Sequence, residues 1–187
     1  MILLVRHARS VPPATGGPDE YERPLTDDGR RQAEALAAAL VDAGPVRFVS
    51  SPYRRAYDTV APAAARLGLA VERIEDLREW DARLAPTPDW ERHYRMAWRH
   101  PDHAKPGGES HHALAARATA ALTALAQGPT PVVVGSHGTF VSRALHAFGR
   151  TEVDDDFWLS MPMPAVYRLR WRDGAVHAEG PGLAPTG

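Results

Sequence analysis

Two hydrophobic signatures alternate along the chain. Short apolar stretches of strand length lie at residues 2–5, Val46 to Ser50 and Pro131 to Gly135, with a third strand read at Ala70 to Ile74. Runs with little polar alternation are those of strands covered on both faces. Between them lie Ala/Leu-rich segments of helical character at Arg30 to Val41, about Tyr53 to Leu67, residues 110–126 and Phe140 to Phe148. Thr26 is placed to cap the first helix, with Asp27 and Asp28 where carboxylates suit the helix dipole, and Gly44-Pro45 stops it. The second helix ends at Gly68, and Pro62 inside it predicts a kink or break. Glu109 or Ser110 starts the third. Residues 165–171 and 175–178 read as a hairpin about Asp173-Gly174. The alternation predicts an α/β fold, a three-layer α/β/α sandwich with a mostly parallel central sheet.

Two segments break the pattern. Val11 to about Pro24 is a Pro/Gly-rich loop. Residues 80–106 carry Trp80, Trp90 and Trp98, several prolines and many His and Arg, with weak periodicity; they read as a small cap inserted over one end of the sheet, closed by Gly107-Gly108, with the tryptophans as its core. No internal repeat is present, and residues 1–187 read as one domain with the cap at about 80–106.

Composition narrows the function. The 187 residues are 44% hydrophobic and 24% charged, enough for one domain with a real core and rather short for two. The 22 basic and 23 acidic residues give a net charge of −1, so neither nucleic acid nor a membrane surface is an expected partner. Absent cysteine removes disulfides, thiolate zinc sites and cysteine nucleophiles. No apolar run approaches the roughly 20 residues that span a bilayer. The N-terminal run meets Arg6-His7 too soon for a signal peptide, so a soluble, cytoplasmic protein is expected. The sequence does not fix an oligomeric state.

The chemistry sits at the strand ends. The first strand ends in Arg6-His7, the second in Ser50-Ser51-Pro52-Tyr53-Arg54-Arg55, and the fourth in Ser136-His137-Gly138. Ligands of open parallel sheets bind at the carboxyl ends of strands, so Arg6, His7, Arg54 or Arg55, and His137 are expected to converge. Guanidinium forks match phosphate oxygens bidentately, and Gly138 opens a helix whose free N–H groups favour an anion. One neutral imidazole is then free to attack phosphorus and form a covalent phospho-enzyme. The arginines and the second imidazole stabilise the equatorial oxygens. Glu79, at the edge of the cap, is the natural general acid for the leaving oxygen. The simpler alternative for Glu79 is an ion pair with Arg78 or Arg83.

Leu3-Leu4-Val5-Arg6-His7-Ala8-Arg9-Ser10 resembles the opening motif of the histidine phosphatase superfamily, the phosphoglycerate-mutase-like fold. The likeness continues, in family order, through Arg23-Pro24-Leu25-Thr26, Gly29-Arg30-Arg31-Gln32-Ala33, Ser50-Ser51-Pro52-Tyr53-Arg54-Arg55-Ala56, Thr59, Leu77-Arg78-Glu79, Pro106-Gly107-Gly108-Glu109-Ser110 and Ser136-His137-Gly138. The resemblance implies that His7 is the phosphorylated nucleophile, that Arg6, Arg55 and His137 form the phosphoryl pocket, that Glu79 is the proton donor, and that no metal or other cofactor is needed. Arg55 aligns because it directly precedes the motif's Ala, which leaves Arg54 as a solvated helix charge. Three positions depart from the pattern. Ala8 replaces the usual Gly, as it does in many members. Pro13 stands where mutase-type members place Asn. Trp80-Asp81-Ala82-Arg83 replaces a Gly-containing segment.

These observations favour a hydrolase of a small phosphorylated metabolite. Three alternatives stand beside it: a protein phosphohistidine phosphatase, which the N-terminal half resembles but whose short members lack a sizeable cap; a phosphoglycerate-mutase-type phosphotransferase; and a non-catalytic phosphate-binding module. Arg83, Arg92, Arg95 and Arg99, together with His93, His100, His103 and Lys105, are the cap's candidates for substrate selection. A serine-hydrolase elbow fails because Val134, not Gly, precedes Ser136 by two. His93, His100, His103, His111 and His112 lack the spacing and acidic company of a metal motif, so no metal is expected.

Overall fold

The computed structural model describes residues 1–185. One sheet holds six strands: β1 (Ile2–Arg6), β2 (Arg47–Ser50), β3 (Val71–Arg73), β4 (Val132–Ser136), β5 (Ala165–Arg172) and β6 (Ala175–Glu179), in the order β3-β2-β4-β1-β5-β6. The first four are mutually parallel where they pair, and β5 and β6 run antiparallel at one side. Six helices accompany them: α1 (Asp27–Asp42), α2 (Arg54–Arg66), α3 (Trp90–Arg99), α4 (His111–Gln127), α5 (Gly138–Ala147) and α6 (Asp155–Ser160).

The apolar strands are buried on both faces because helices cover both. Ile2 and Leu4 pack with Val132 and Val134 against Leu114, Leu122, Phe140 and Leu145 of α4 and α5. Leu3 and Val5 point the other way, with Phe48 and Val133, toward Leu40 of α1 and Val60 and Ala63 of α2. This strict alternation produces the three layers. Register then decides where the site falls. Arg6 lies opposite Ser136, and Ser50 opposite Gly135, so β1, β2 and β4 end level and deliver their following residues to one edge.

The caps follow the expected chemistry. The Thr26 hydroxyl accepts from Gly29 N at 3.0 Å, and the Ser110 hydroxyl accepts from Ala113 N at 3.1 Å. The β5–β6 hairpin turns at Asp173 (φ 51°) and Gly174 (φ 77°), the two left-handed positions of a type I′ turn. Gly29 is required for a different reason: a Cβ there would lie 1.9 Å from the Arg9 carbonyl oxygen.

Two features differ from the sequence reading. α2 continues through Pro62 as one helix. Its inward face, Arg55, Ala56, Thr59, Val60, Ala63 and Ala64, is buried as a continuous stripe, and this packing outweighs the one backbone bond Pro62 cannot donate. α6, where the sequence reading placed no element, is capped by Asp154, whose side chain accepts from Phe157 N at 2.9 Å. Among the described residues, no helix is long and apolar enough to cross a membrane.

Candidate active site

The level strand ends bring together five of the residues singled out from the sequence. His7 follows β1, and its backbone N–H extends the pairing with β4 by donating to Ser136 O at 3.0 Å. Its Nδ1 lies 2.7 Å from the Ala8 carbonyl oxygen, which can only accept, so Nδ1 carries the ring proton. Nε2 is left with its lone pair, and it accepts from Arg55 Nε at 3.3 Å. The ring is 8% exposed. Burial, then the Arg55 charge, holds its pKa well below the ordinary imidazole range, so it is neutral at pH 7. A buried neutral imidazole with a fixed tautomer, its Nε2 lone pair held only by one long hydrogen bond from Arg55, is a competent nucleophile.

Arg55 comes from the first turn of α2 and is buried to 1% exposure. All three of its nitrogens are engaged: Nε with His7, Nη1 with Glu20 O at 2.7 Å, and Nη2 with Glu20 Oε2 at 2.9 Å. Arg54 is exposed and pairs with Asp58, as a solvated helix charge should. His137 occupies the N-cap position of α5. Its ring meets His7 edge-on at 5.3 Å, and its Nε2 lies 2.8 Å from Ser51 Oγ. Its Nδ1 is buried and has no hydrogen-bond partner among the described residues. Burial, then Arg55, keeps this imidazole neutral too. Arg6 donates through Nη1 to Met161 O, and its Nε is buried beside Gly138 with no partner among the described residues, where a Cβ would approach it to 3.1 Å.

Glu79 closes the group from a distance of 58 residues in sequence to His137. Its Oε1 accepts from Trp80 N at 2.9 Å and Phe140 N at 3.1 Å, and its Oε2 accepts from Thr139 N at 3.2 Å. The carboxyl is thus clamped across the first turn of α5, next to His137. It forms no ion pair with its basic neighbours: Arg78 faces Glu75 and Glu109, and Arg83 pairs with Asp81.

The sequence reading missed several participants. Arg23 donates to Ser10 Oγ at 3.0 Å and Val11 O at 2.7 Å, and its Nη2 reaches Glu20 Oε2 at 3.0 Å. Its only sequence signal was membership in Arg23-Pro24-Leu25-Thr26. Glu20, in the Pro/Gly-rich loop, carried no signal, yet its carboxylate bridges two guanidiniums. Burial acts to raise the Glu20 carboxyl, but Arg55 and Arg23 outweigh it and hold the group below its ordinary range.

The cap meets the site with an aromatic face. The Tyr94 ring of α3 stacks on Trp158 at 4.5 Å and meets Trp80 edge-on at 5.0 Å. Trp90 stands 5.9 Å from Trp158, and His111 lies between Trp80 (4.5 Å) and Trp98 (5.6 Å). The Arg143 guanidinium sits 4.5 Å over Trp98. Burial, then the Glu79 charge, raises the Tyr94 phenol.

The cap's basic candidates lie elsewhere. Arg92, Arg95 and Arg99 recur at helical spacing on the outer face of α3 and line an open groove of about 420 Å³. Arg95 is held by Glu91, Asp155 and Asp156, and Arg83 by Asp81 and the Gly107 carbonyl. None of the four contacts His7, Glu79 or His137 by hydrogen bond or ion pair among the described residues. His93, His100, His103 and Lys105 are exposed.

Comparison with known proteins bears on the family and the fold. The sequence profile of the histidine phosphatase superfamily (branch 1) matches residues 2–181. An uncharacterized protein of Mycobacterium tuberculosis is 38% identical over 104 residues, 52% of each chain. The glucosyl-3-phosphoglycerate phosphatase of the same organism is 32% identical over 140 residues, covering 66% of this chain and 63% of that one. The alignments thus span about half to two thirds of the curated relatives' length. A solved structure of mycobacterial glucosyl-3-phosphoglycerate phosphatase in complex with VO3 superposes with a TM-score of 0.70 at 25% identity, covering 99% of both chains.

Proposed function

The chain belongs to the histidine phosphatase superfamily, and on that premise we propose that it is a phosphomonoester hydrolase working through a phosphohistidine on His7. The observation that carries this reading is the His7 ring: Nδ1–H is tied to the Ala8 carbonyl, and the unprotonated Nε2 faces the Arg55 edge of the pocket, held by one long hydrogen bond from Arg55 Nε. In the first step the Nε2 lone pair forms a bond to phosphorus while the bond to the leaving oxygen breaks. Arg6, Arg55 and His137 bind the equatorial oxygens. Glu79 transfers a proton to the leaving oxygen, and the alcohol departs. In the second step water attacks phosphorus, its proton passes to Glu79, and the N–P bond breaks to return neutral His7 and free phosphate. The positive charge this sequence needs is supplied by guanidiniums, so the reading requires no metal.

A small phosphorylated metabolite is the favoured substrate class. The aromatic cap face stands over the Glu79 side of the pocket, where the leaving group goes, and favours a compact organic group over a folded protein. The glucosyl-3-phosphoglycerate phosphatase relative supports the same class and names a first compound to screen.

The test is hydrolysis of p-nitrophenyl phosphate, with EDTA throughout, by wild type and His7→Ala. Wild-type turnover should persist in EDTA, should leave acid-labile phosphate on the protein when quenched, and should fall by at least about a thousandfold in the variant. Equal activity in both proteins would remove His7 as nucleophile. Activity abolished by EDTA would replace the metal-free mechanism.

A further inference from the structure

The carboxylate of Glu20 occupies the guanidinium surface that a phosphoryl group needs. Arg55 presents Nε and Nη2 to neighbouring acceptors; the first is His7 Nε2, the second Glu20 Oε2 at 2.9 Å. The same Oε2 takes Arg23 Nη2 at 3.0 Å. One carboxylate oxygen therefore stands beside the nucleophile on the edge of Arg55 that suits a bidentate oxyanion. The Glu20 side chain is 48% exposed, whereas those of Arg55 and Arg23 are 2% and 11% exposed. The arginines are fixed and the acid is mobile by comparison: a displaced Glu20 regains water, while an unpaired Arg55 does not.

The segment that carries Glu20 is anchored independently of this contact. The Tyr21 carbonyl accepts from Arg54 N at 2.7 Å, the Tyr21 hydroxyl donates to Glu75 Oε1 at 2.8 Å, and the Tyr21 ring packs on Tyr53 at 4.4 Å. Displacement of the carboxylate needs only a side-chain rotation, with the backbone held.

We propose that Glu20 is an internal ligand of the phosphoryl pocket, a carboxylate that neutralises Arg55 and Arg23 between turnovers and that an incoming phosphate must displace. This rests on the phosphoryl-pocket reading above and adds a consequence for product release. Every oxyanion competes with Glu20 for the arginines. Displacing the carboxylate costs the same for substrate and product, so it raises both dissociation constants by one factor, and inorganic phosphate leaves more readily than it would leave arginines with no internal partner.

Isothermal titration of inorganic phosphate into wild type, Glu20→Gln and Glu20→Asp tests this, alongside KM for p-nitrophenyl phosphate. Gln removes the charge and keeps the shape; Asp keeps the charge but is too short to bridge both arginines. Phosphate should bind about tenfold more tightly to Glu20→Gln, with Glu20→Asp intermediate, and KM should fall in the same order. A carboxylate that only braces Arg55 predicts the opposite, weaker phosphate binding and a higher KM in both variants. Unchanged or weaker phosphate binding in Glu20→Gln overturns the proposal even if the wild type hydrolyses phosphoesters. Tighter phosphate binding in Glu20→Gln without hydrolysis by any of the proteins leaves it standing and overturns the hydrolase reading instead. Phosphate binding to none of them overturns both.

Discussion

Replacing His111 with Phe isolates the energetic effect of one imidazole sealed under the cap. The ring is fully buried, and neither nitrogen has a hydrogen-bond partner among the described residues. Burial, followed by the Arg143 cation, brings its pKa down to about 3. In the unfolded chain the same group titrates near 6.5. Acid therefore protonates the unfolded state first, and the folded state cannot follow until the pH nears 3. The contribution of this group to stability is intact above about pH 6.5 and is lost as the pH falls below it. Linkage puts the loss at about 2 kcal/mol between pH 7 and pH 5, rising to roughly 4 kcal/mol near pH 3. His7 and His137 act in the same direction, but both proteins carry them, so they cancel in the comparison. Phe keeps a ring against Trp80 and Trp98 with nothing to protonate. Urea unfolding followed by far-UV circular dichroism at pH 7 and pH 5 measures the effect. Wild type should lose about 2 kcal/mol more than His111→Phe over that interval. Parallel losses would show that the imidazole reaches water or a partner at low pH, and the burial argument would fail.

Gly29→Ala should destabilise the protein by about 3 kcal/mol or more, because the new Cβ would meet the Arg9 carbonyl at 1.9 Å and neither backbone is a flexible side-chain end. Since Arg9 follows Ala8, whose carbonyl fixes the His7 tautomer, activity should fall even where the variant stays folded; an unchanged urea midpoint would refute the close approach. Glu79→Gln keeps an acceptor for the α5 amides but has no proton to give. In single turnovers it should slow alcohol release from alkyl phosphates by about a hundredfold or more while sparing the p-nitrophenol burst, whose leaving group needs no proton; the later attack of water, which also uses Glu79, should slow for both substrates. Equal slowing of the two release steps would assign Glu79 a role in binding rather than proton transfer.

Where a residue's position follows from the end of an apolar run, the sequence disclosed it. Arg6-His7 and Ser136-His137 stand at the ends of uniformly apolar strands, and parallel register does the rest. Glu79 was legible as an acid beside the cap, though its partners on α5 were not. Arg55 and Arg54 were separable only through the resemblance; the structure shows why, since one helical step turns the first inward and the second to solvent. The inner face of α3 was hidden because its outer arginines dominate the composition, and only the fold reveals that residues 94 and 98 form the side turned to the sheet. α6 has six residues, too few for a period to emerge. Glu20 lies in a loop, where no periodicity links a side chain to the arginines it meets.

The aromatic assembly at the cap has an optical consequence. Of the five tryptophans, Trp80, Trp90, Trp98 and Trp158 belong to one network of ring contacts with Tyr94 and His111, and Trp171 stands apart against Phe148. Trp80 is bonded directly to Glu79, and Trp158 Nε1 would touch a Cβ placed on Gly138 at 3.2 Å. Trp80 and Trp158 therefore border the proposed pocket, and their emission should respond when it is filled. The chain carries its own chromophore for pocket occupancy, with Trp171 as an internal reference that ligand entry leaves untouched.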